Sequence, residues 1–249
     1  MTVYFTLGHA RIACLSKAEA IAQILDLATA AKASYVVTPN ADHIVMLEEN
    51  EELRRAYAGA QLVLADGMPV VWASRLIGPT LPERVTGAEL MPLLCAEASL
   101  RQLRVYFLGA APGVAERAKR ALEAQYPDLQ VVGTYSPPLG FEKDPLQNQQ
   151  VIERLRFARP HLIFVGLGAP KQELWMASNA SLLGSGVFLG IGAAIDFCAG
   201  QVRRAPLWMQ KGGLEWLFRL LQEPKRLAKR YLRDTRILAV IWRQWRQNR

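Results

Sequence analysis

Cysteine is scarce in this chain: three in 249 residues, Cys14, Cys95 and Cys198, far apart and odd in number. No Cys-x-x-Cys and no cysteine–histidine cluster is present, so neither a zinc site nor a disulfide framework is signalled. That usage fits a reducing cytosol. Long apolar runs are also missing. A membrane-crossing helix needs about 18 apolar residues free of charges and turn formers. The nearest stretch, SLLGSGVFLGIGAAI at 181–195, contains four glycines and reads as a buried strand with turns. The opening VYFTLG is too short, and too little charged in front, for a signal peptide. There is no internal repeat, no low-complexity linker and no Ser-His-Asp arrangement. Asp-x-Asp, a metal site for a nucleotide sugar, is absent as well, which favours chemistry without a metal or other cofactor.

What remains is a chain that is 51% hydrophobic, long enough to bury a core without staples. Its length suits one large domain or a domain with an appendage. The formal charge of +8 is unevenly spread. From Arg203 to Arg249 thirteen Lys and Arg face three acids, Glu215, Glu223 and Asp234; residues 1–202 hold seventeen against nineteen. A body of net −2 therefore carries a tail of net +10. Such asymmetry points the tail to an anionic partner, a membrane surface or nucleic acid.

Residues 1–202 alternate strand-like and helix-like segments. YVVT (35–38), QLVLA (61–65), RVYFLG (104–109), QVVGTY (130–135), LIFVGLG (162–168) and GVFLGIG (186–192) are short, β-branched or aromatic, and end in turn residues. Between them Ser16-x-x-Glu19 and Thr86-x-x-Glu89 have the form of capping boxes at helix starts, and Pro112 is placed at a first helical position. Near-continuously apolar strands separated by helices predict an α/β fold: a largely parallel, Rossmann-like sheet flanked by helices. In the tail, GLEWLFRLLQE is helical, and Pro224 opens a second helix to about residue 247. On a helical wheel Leu227, Tyr231, Leu238, Ile241, Trp242 and Trp245 form one stripe. Lys225, Arg226, Lys229, Arg230, Arg233, Arg236 and Arg243 lie opposite, with Asp234 inside the apolar stripe and Val240 among the basics. Such a helix suits a bilayer interface, or it packs its apolar side on the body. No nucleic-acid-binding module accompanies the charge, so nucleic acid ranks last.

In parallel sheets ligands bind beyond the carboxyl ends of the strands. The loops there are TPNAD (38–42), ADGMP (65–69), GAAPG (109–113), GLGAPKQE (166–173) and GIGAAIDF (190–197). Asp66, directly after a strand, is placed as a general base, a ribose ligand or a cap for the next helix. Thr38 and Asn40 can fix sugar hydroxyls or an acetamido group, or Asn40 simply caps a helix. His43 is given no role. Gly109 and Gly168 permit close backbone approach to a diphosphate, and Lys171 and Gln172 project at a helix's positive end. The dinucleotide fingerprint Gly-x-Gly-x-x-Gly is broken by Lys171 in place of its third glycine, which disfavours NAD.

Together these loops resemble the WecG/TagA/CpsF glycosyltransferases of bacterial surface-polysaccharide synthesis. The likeness covers nearly the whole chain, through TPNADHIVML, ADGMPVVW, ERVTGAEL, FLGAAPGV, VGLGAPKQE, GIGAAIDFCAG and RRAPLWMQKGGLEWLFRLLQEPKRLAKRYL. It implies an inverting, metal-independent transfer of a sugar, of N-acetylmannosamine or glucose type, from a UDP-sugar. The implied acceptor is a sugar linked to undecaprenyl diphosphate. Asp66 then matches the general base, Thr38 and Asn40 match positions that contact the donor, and Gln172 matches another active-site position. Arg219, Arg226 and Arg230 match basic residues that offset diphosphate charge, while Arg84, Gly109, Gly168, Lys171 and Asp196 lie in motif segments that would line the substrate. The resemblance also divides the chain into a catalytic body, 1–202, and an appendage, 203–249, that completes the site. It implies a cytoplasmic enzyme held peripherally on the inner face of the membrane, with an anionic membrane surface as partner, no nucleic acid, and room for a homo-oligomer. Glu89 stands where many members have Asp. The competing readings are a nicotinamide-dependent oxidoreductase and a membrane-binding module without catalysis.

Overall fold

The computed structural model describes residues 2–247, apart from the side chains of Lys211 and Arg226. Residues 4–13 form a hairpin, β1 (Tyr4–Leu7) and β2 (Ala10–Ala13), which is a separate two-stranded antiparallel sheet. The sequence reading has no hairpin here. After α1 (Lys17–Thr29) the chain enters the main sheet at β3 (Ser34–Val37). It continues through α2 (Ala41–Glu49), α3 (Glu51–Ala58), β4 (Leu62–Val63), α4 (Met68–Ile77) and α5 (Gly87–Leu100). Then follow β5 (Arg104–Gly109), α6 (Val114–Gln125), β6 (Gln130–Tyr135) and α7 (Pro145–Ala158). The body closes with β7 (Leu162–Gly166), α8 (Lys171–Asn179), β8 (Val187–Gly190) and the short α9 (Ala194–Cys198).

All six strands foreseen in the sequence pair in one sheet, in the order β4-β3-β8-β7-β5-β6, and every pairing is parallel. Strand periodicity sends successive side chains to opposite faces. Val105, Phe107, Leu162 and Phe164 enter one core; Tyr106, Leu108, Ile163 and Val165 enter the other. Both faces are covered, which is why the strands read as continuous apolar runs.

The Ser16 capping box forms as read: Ser16 Oγ accepts from the Glu19 N–H, and Glu19 Oε2 accepts from the Ser16 N–H at 2.8 Å. The second box is only half made. Thr86 Oγ1 caps α5, but the Glu89 carboxylate meets the Thr86 hydroxyl and the guanidinium groups of Arg84 and Arg204. Pro112 lies before the Gly113 N-cap of α6 rather than at the first helical position.

Among the described residues the tail makes four helices: α10 (Leu207–Lys211), α11 (Glu215–Gln222), α12 (Pro224–Asp234) and α13 (Ile237–Gln247). The single helix expected from 224 to 247 breaks at Thr235–Arg236. Thr235 Oγ1 donates back to Leu232 O at 2.7 Å, and the bonds at Arg236, Leu238 and Ala239 tighten to three-residue spacing. The break lets both halves pack on α2, and α13 also on α4 and β1. Leu227, Ile237 and Val240 are buried there. The basic side of the tail faces the acids of α2: Arg230 and Arg233 meet Asp42, Arg236 meets Glu49, and Arg243 meets Glu48. Leu238 and Trp242, assigned to the apolar stripe, are instead exposed.

Candidate active site

β4, β3, β8 and β7 are neighbours in the sheet, so the segments that leave their carboxyl ends meet. Thr38, at the end of β3, donates from Oγ1 to Gly190 O at 3.1 Å, which ties the β3 and β8 loops together. Asn40 caps α2: its Oδ1 accepts from the N–H groups of Asp42 at 3.0 Å and His43 at 3.4 Å. Asp66, at the end of β4, donates its N–H to Pro39 O at 2.9 Å, which sets it beside the Thr38–Asn40 loop. Its side chain does not cap α4, whose N-cap is Gly67 with no side-chain bond.

The Asp66 carboxyl sits in a mixed field. Burial pushes its pKa up to about 6; His43 opposes the rise, Glu215 adds to it, and Arg84 and the Gly87 N–H at the start of α5 again oppose it. A carboxyl so placed is ionised at neutral pH yet basic enough to take a proton from a hydroxyl.

Gln172, in the first turn of α8, is buried rather than projecting. Its Oε1 accepts from the Gly192 N–H at 3.2 Å and its Nε2 donates to Glu173 Oε1 at 2.8 Å. It braces α8 against the loop after β8. Lys171 turns away to an ion pair with Glu142 at 3.3 Å. Gly168 is left-handed at φ +78°, and a Cβ there would meet nothing within 4 Å, so that turn lies open. Gly109 is the opposite case: at φ +108° a Cβ would come 2.4 Å from Gly166 O, so any side chain would separate β5 from β7.

Arg84 joins a network that fastens the tail to the body. It pairs with Glu215 at 3.1 Å and Glu89 at 3.6 Å, and Arg204 reaches the same two acids at 3.3 and 3.6 Å. A groove of about 400 Å³ opens beside it, lined among others by Met68, Val71, Arg75, Arg84 and Leu207. Arg219 lies over the Phe197 ring at 5.7 Å, next to Asp196 of α9. Asp196 is half-buried, and its carbonyl accepts from Gln201 and Val202. Arg230 is held by Asp42 at 2.8 Å. The side chain of Arg226 lies outside the described residues.

The structure thus brings Thr38, Asn40, Asp66 and Gln172 to one edge, while Lys171 and Arg230 are engaged elsewhere. It adds His43, Glu173 and Glu215, which the sequence reading did not assign. His43 lies three residues after Asn40, and its ring Nδ1 rests against the Asn40 side chain at 2.9 Å and the Asn40 N–H at 3.4 Å; that Asn-x-x-His spacing was the one signal available. Among the described residues no group of three or more His, Cys, Asp or Glu is placed to hold a metal ion.

The model of the WecG/TagA/CpsF glycosyl transferase family matches residues 5–249. The chain belongs to that family. Two curated relatives bear the name N-acetylglucosaminyldiphosphoundecaprenol N-acetyl-beta-D-mannosaminyltransferase. The one from Bacillus spizizenii is 32% identical over 210 residues, 84% of this chain and 79% of that protein. The one from Staphylococcus aureus strain MW2 is 31% identical over 195 residues, 78% of this chain and 74% of that protein. Family membership sets aside the nicotinamide reading that the broken glycine fingerprint already disfavoured.

Proposed function

We propose that this glycosyltransferase moves an N-acetylmannosamine-type sugar from a UDP-sugar to N-acetylglucosaminyl-diphospho-undecaprenol, with Asp66 as general base. The observation that carries the reading is the Asp66 carboxyl itself: at a strand end, beside Thr38 and Asn40, with a pKa of about 6. In a single displacement Asp66 takes the proton of the acceptor hydroxyl while that oxygen bonds to the anomeric carbon. The bond from that carbon to the diphosphate breaks, and its electron pair leaves with UDP. One displacement inverts the anomeric centre. The Asn40 oxygen is committed to the α2 cap, which leaves its amide nitrogen to address an acetamido or hydroxyl oxygen of the sugar. Arg219 supplies positive charge near the loop after β8, where a diphosphate would gather.

An acceptor anchored in lipid requires the enzyme to work at a bilayer. No helix among the described residues is long and apolar enough to cross one. The tail instead exposes Leu207, Trp208, Trp216, Leu221, Leu238 and Trp242, with Lys225 and Lys229 exposed alongside. Aromatic and aliphatic side chains among basic ones favour the interface of an anionic leaflet. This supports peripheral attachment through α10–α13.

The test is a panel of UDP-sugars offered with synthetic lipid-diphosphate acceptors, with product read by mass spectrometry. UDP release with UDP-N-acetylmannosamine, lost in Asp66→Asn while the protein stays folded, is the expected result. Near-normal turnover by that variant would remove Asp66 from the mechanism.

A further inference from the structure

Glu173 has no exposed surface, and His43, Gln172 and Tyr57 are nearly as deep. A carboxyl carried into such an interior needs a compensating partner. Glu173 Oε1 faces Gln172 Nε2 at 2.8 Å and His43 Nε2 at 3.3 Å. Its Oε2, like the Tyr57 hydroxyl, is buried without a hydrogen-bond partner among the described residues. Across the ring, His43 Nδ1 lies 2.9 Å from Asn40 Oδ1. The role of that oxygen is fixed, because it already accepts the backbone N–H groups of Asp42 and His43. The ring therefore faces an oxygen acceptor at each nitrogen, and it satisfies both by carrying a hydrogen on each. The contact of Nδ1 with the Asn40 N–H, at 3.4 Å, is the longer of the two alternatives.

We propose that His43 and Glu173 are positioning residues for the transfer: a buried histidine–carboxylate pair, with a hydrogen on each ring nitrogen, that fixes Asn40 and Gln172 and sets the charged ring toward Asp66. The idea rests on Asp66 being the base. The pair joins three loops of the mouth. Through Asn40 it holds the start of α2, through Gln172 it holds Gly192 after β8, and Pro39 O receives the Asp66 N–H. Four influences besides burial reach Asp66: His43 from α2, Glu215 from α11, Arg84 from the segment before α5, and the Gly87 N–H. His43 is the strongest of those that favour the carboxylate. Tyr57 of α3 faces both Glu173 and Asp66 as a neutral phenol, its ionisation suppressed by burial and by those two carboxyls.

Replacing Glu173 by Gln keeps the shape and the bond from Gln172 but removes the counter-ion. His43 then gives up its second ring proton, and Asp66 loses its main opposing charge. The first measurement is on the full chain with ¹⁵N-labelled histidine at pH 7. The chain has three histidines, so substitution of His9 and of His161 assigns the third. The expected spectrum has both His43 ring nitrogens protonated in the native chain and one in Glu173→Gln. A neutral His43 ring in the native chain overturns the proposal, and this readout needs no turnover. The second measurement is the pH dependence of kcat/KM. In Glu173→Gln, and independently in His43→Gln, the acid limb should move up by about one pH unit, so that activity falls about fivefold at pH 6, approaches a tenfold loss below pH 5 and changes little at pH 8.5. An equal loss at every pH would mark a merely structural role and refute the charge-setting one. If the native chain transfers no sugar at all, the functional reading fails, while the ring spectrum still decides the pair.

Discussion

Asp66 binds its proton more tightly in the folded chain than in the unfolded one, and two consequences follow at the level of this single residue. The first concerns rate. As the proposed base, Asp66 must be ionised to act, so kcat/KM should fall as pH drops through about 6, tenfold per unit below it, in a pH titration of UDP release. A profile flat down to pH 5 would mean that no group in this range is required. The second concerns stability, and the sign is the reverse of the usual salt-bridged carboxylate. Folded Asp66 holds its proton up to about 6, whereas the unfolded side chain releases it near 3.8. Between those values the unfolded state binds fewer protons, so stability declines as pH rises and stays reduced above pH 6. Asp66→Asn removes that cost. It should abolish transfer yet raise the unfolding free energy by about 1–2 kcal/mol at pH 8, with the gain vanishing near pH 4. Urea titrations of both proteins at the two pH values measure it; a destabilised variant at pH 8 would contradict the desolvated-carboxylate account.

At the scale of elements, the seam between α2 and α12 sets the position of the tail. Asp42, buried at the start of α2, receives Arg230 and Arg233, and Asp234 of α12 approaches the same carboxyl. Burial first, and then Asp42, push the Asp234 pKa up to about 7, against the pull of the two arginines. By the same sign argument the seam is firmest where Asp234 is protonated and weakens as pH rises from about 4 to 7. Asp234→Asn should therefore stabilise the chain by about 1 kcal/mol at pH 8 and leave it unchanged near pH 4, read from urea midpoints. A gain of equal size at both pH values would show that ionisation of Asp234 is not the cause. This seam also marks how far the sequence could be read. Six strands were legible because each is a β-branched or aromatic run closed by turn residues, and a sheet covered on both faces needs nothing else to declare itself. The placement of Thr38, Asn40 and Asp66 at strand ends was legible because each directly follows an apolar run, and strand ends are where ligands bind in such sheets. The break at Thr235 was not, because a wheel drawn on the tail alone cannot know that Asp42, Glu48 and Glu49 wait across the interface. Nor was the His43–Glu173 pair, which joins residues 130 positions apart. Gln172 was read as projecting at a helix start, but the bonds that turn its amide inward come from Gly192 and Glu173, partners that only tertiary folding supplies.

For the molecule as a whole, the uneven charge is partly spent inside: four tail arginines are paired with acids of α2, and Arg204 with Glu89 and Glu215. What is left for a partner is a smaller, more specific surface. Lys225 and Lys229 project from α12, Trp208 and Leu207 from α10, and Trp242 from α13, where the Arg246 guanidinium lies 4.1 Å over its ring. Of these helices α13 also holds Ile237 and Val240 in the core that contains β1 and β2, so the part of the surface around Trp242 cannot swing free without opening that core. Attachment should then be a rigid-body event that fixes the distance from bilayer to Asp66. Each basic residue near an anionic leaflet contributes about 1 kcal/mol, so Lys225→Gln with Lys229→Gln should weaken binding to vesicles containing anionic lipid by roughly thirtyfold, and binding to neutral vesicles hardly at all. Neither lysine is among the residues placed at the mouth, so turnover on a water-soluble, short-chain acceptor should persist while turnover on vesicle-borne acceptor falls. Flotation of the two proteins with each vesicle type, alongside both assays, separates the cases. Unchanged flotation would move the attachment surface elsewhere on the molecule, and an equal loss on the soluble acceptor would place these lysines in the active site instead of at the bilayer.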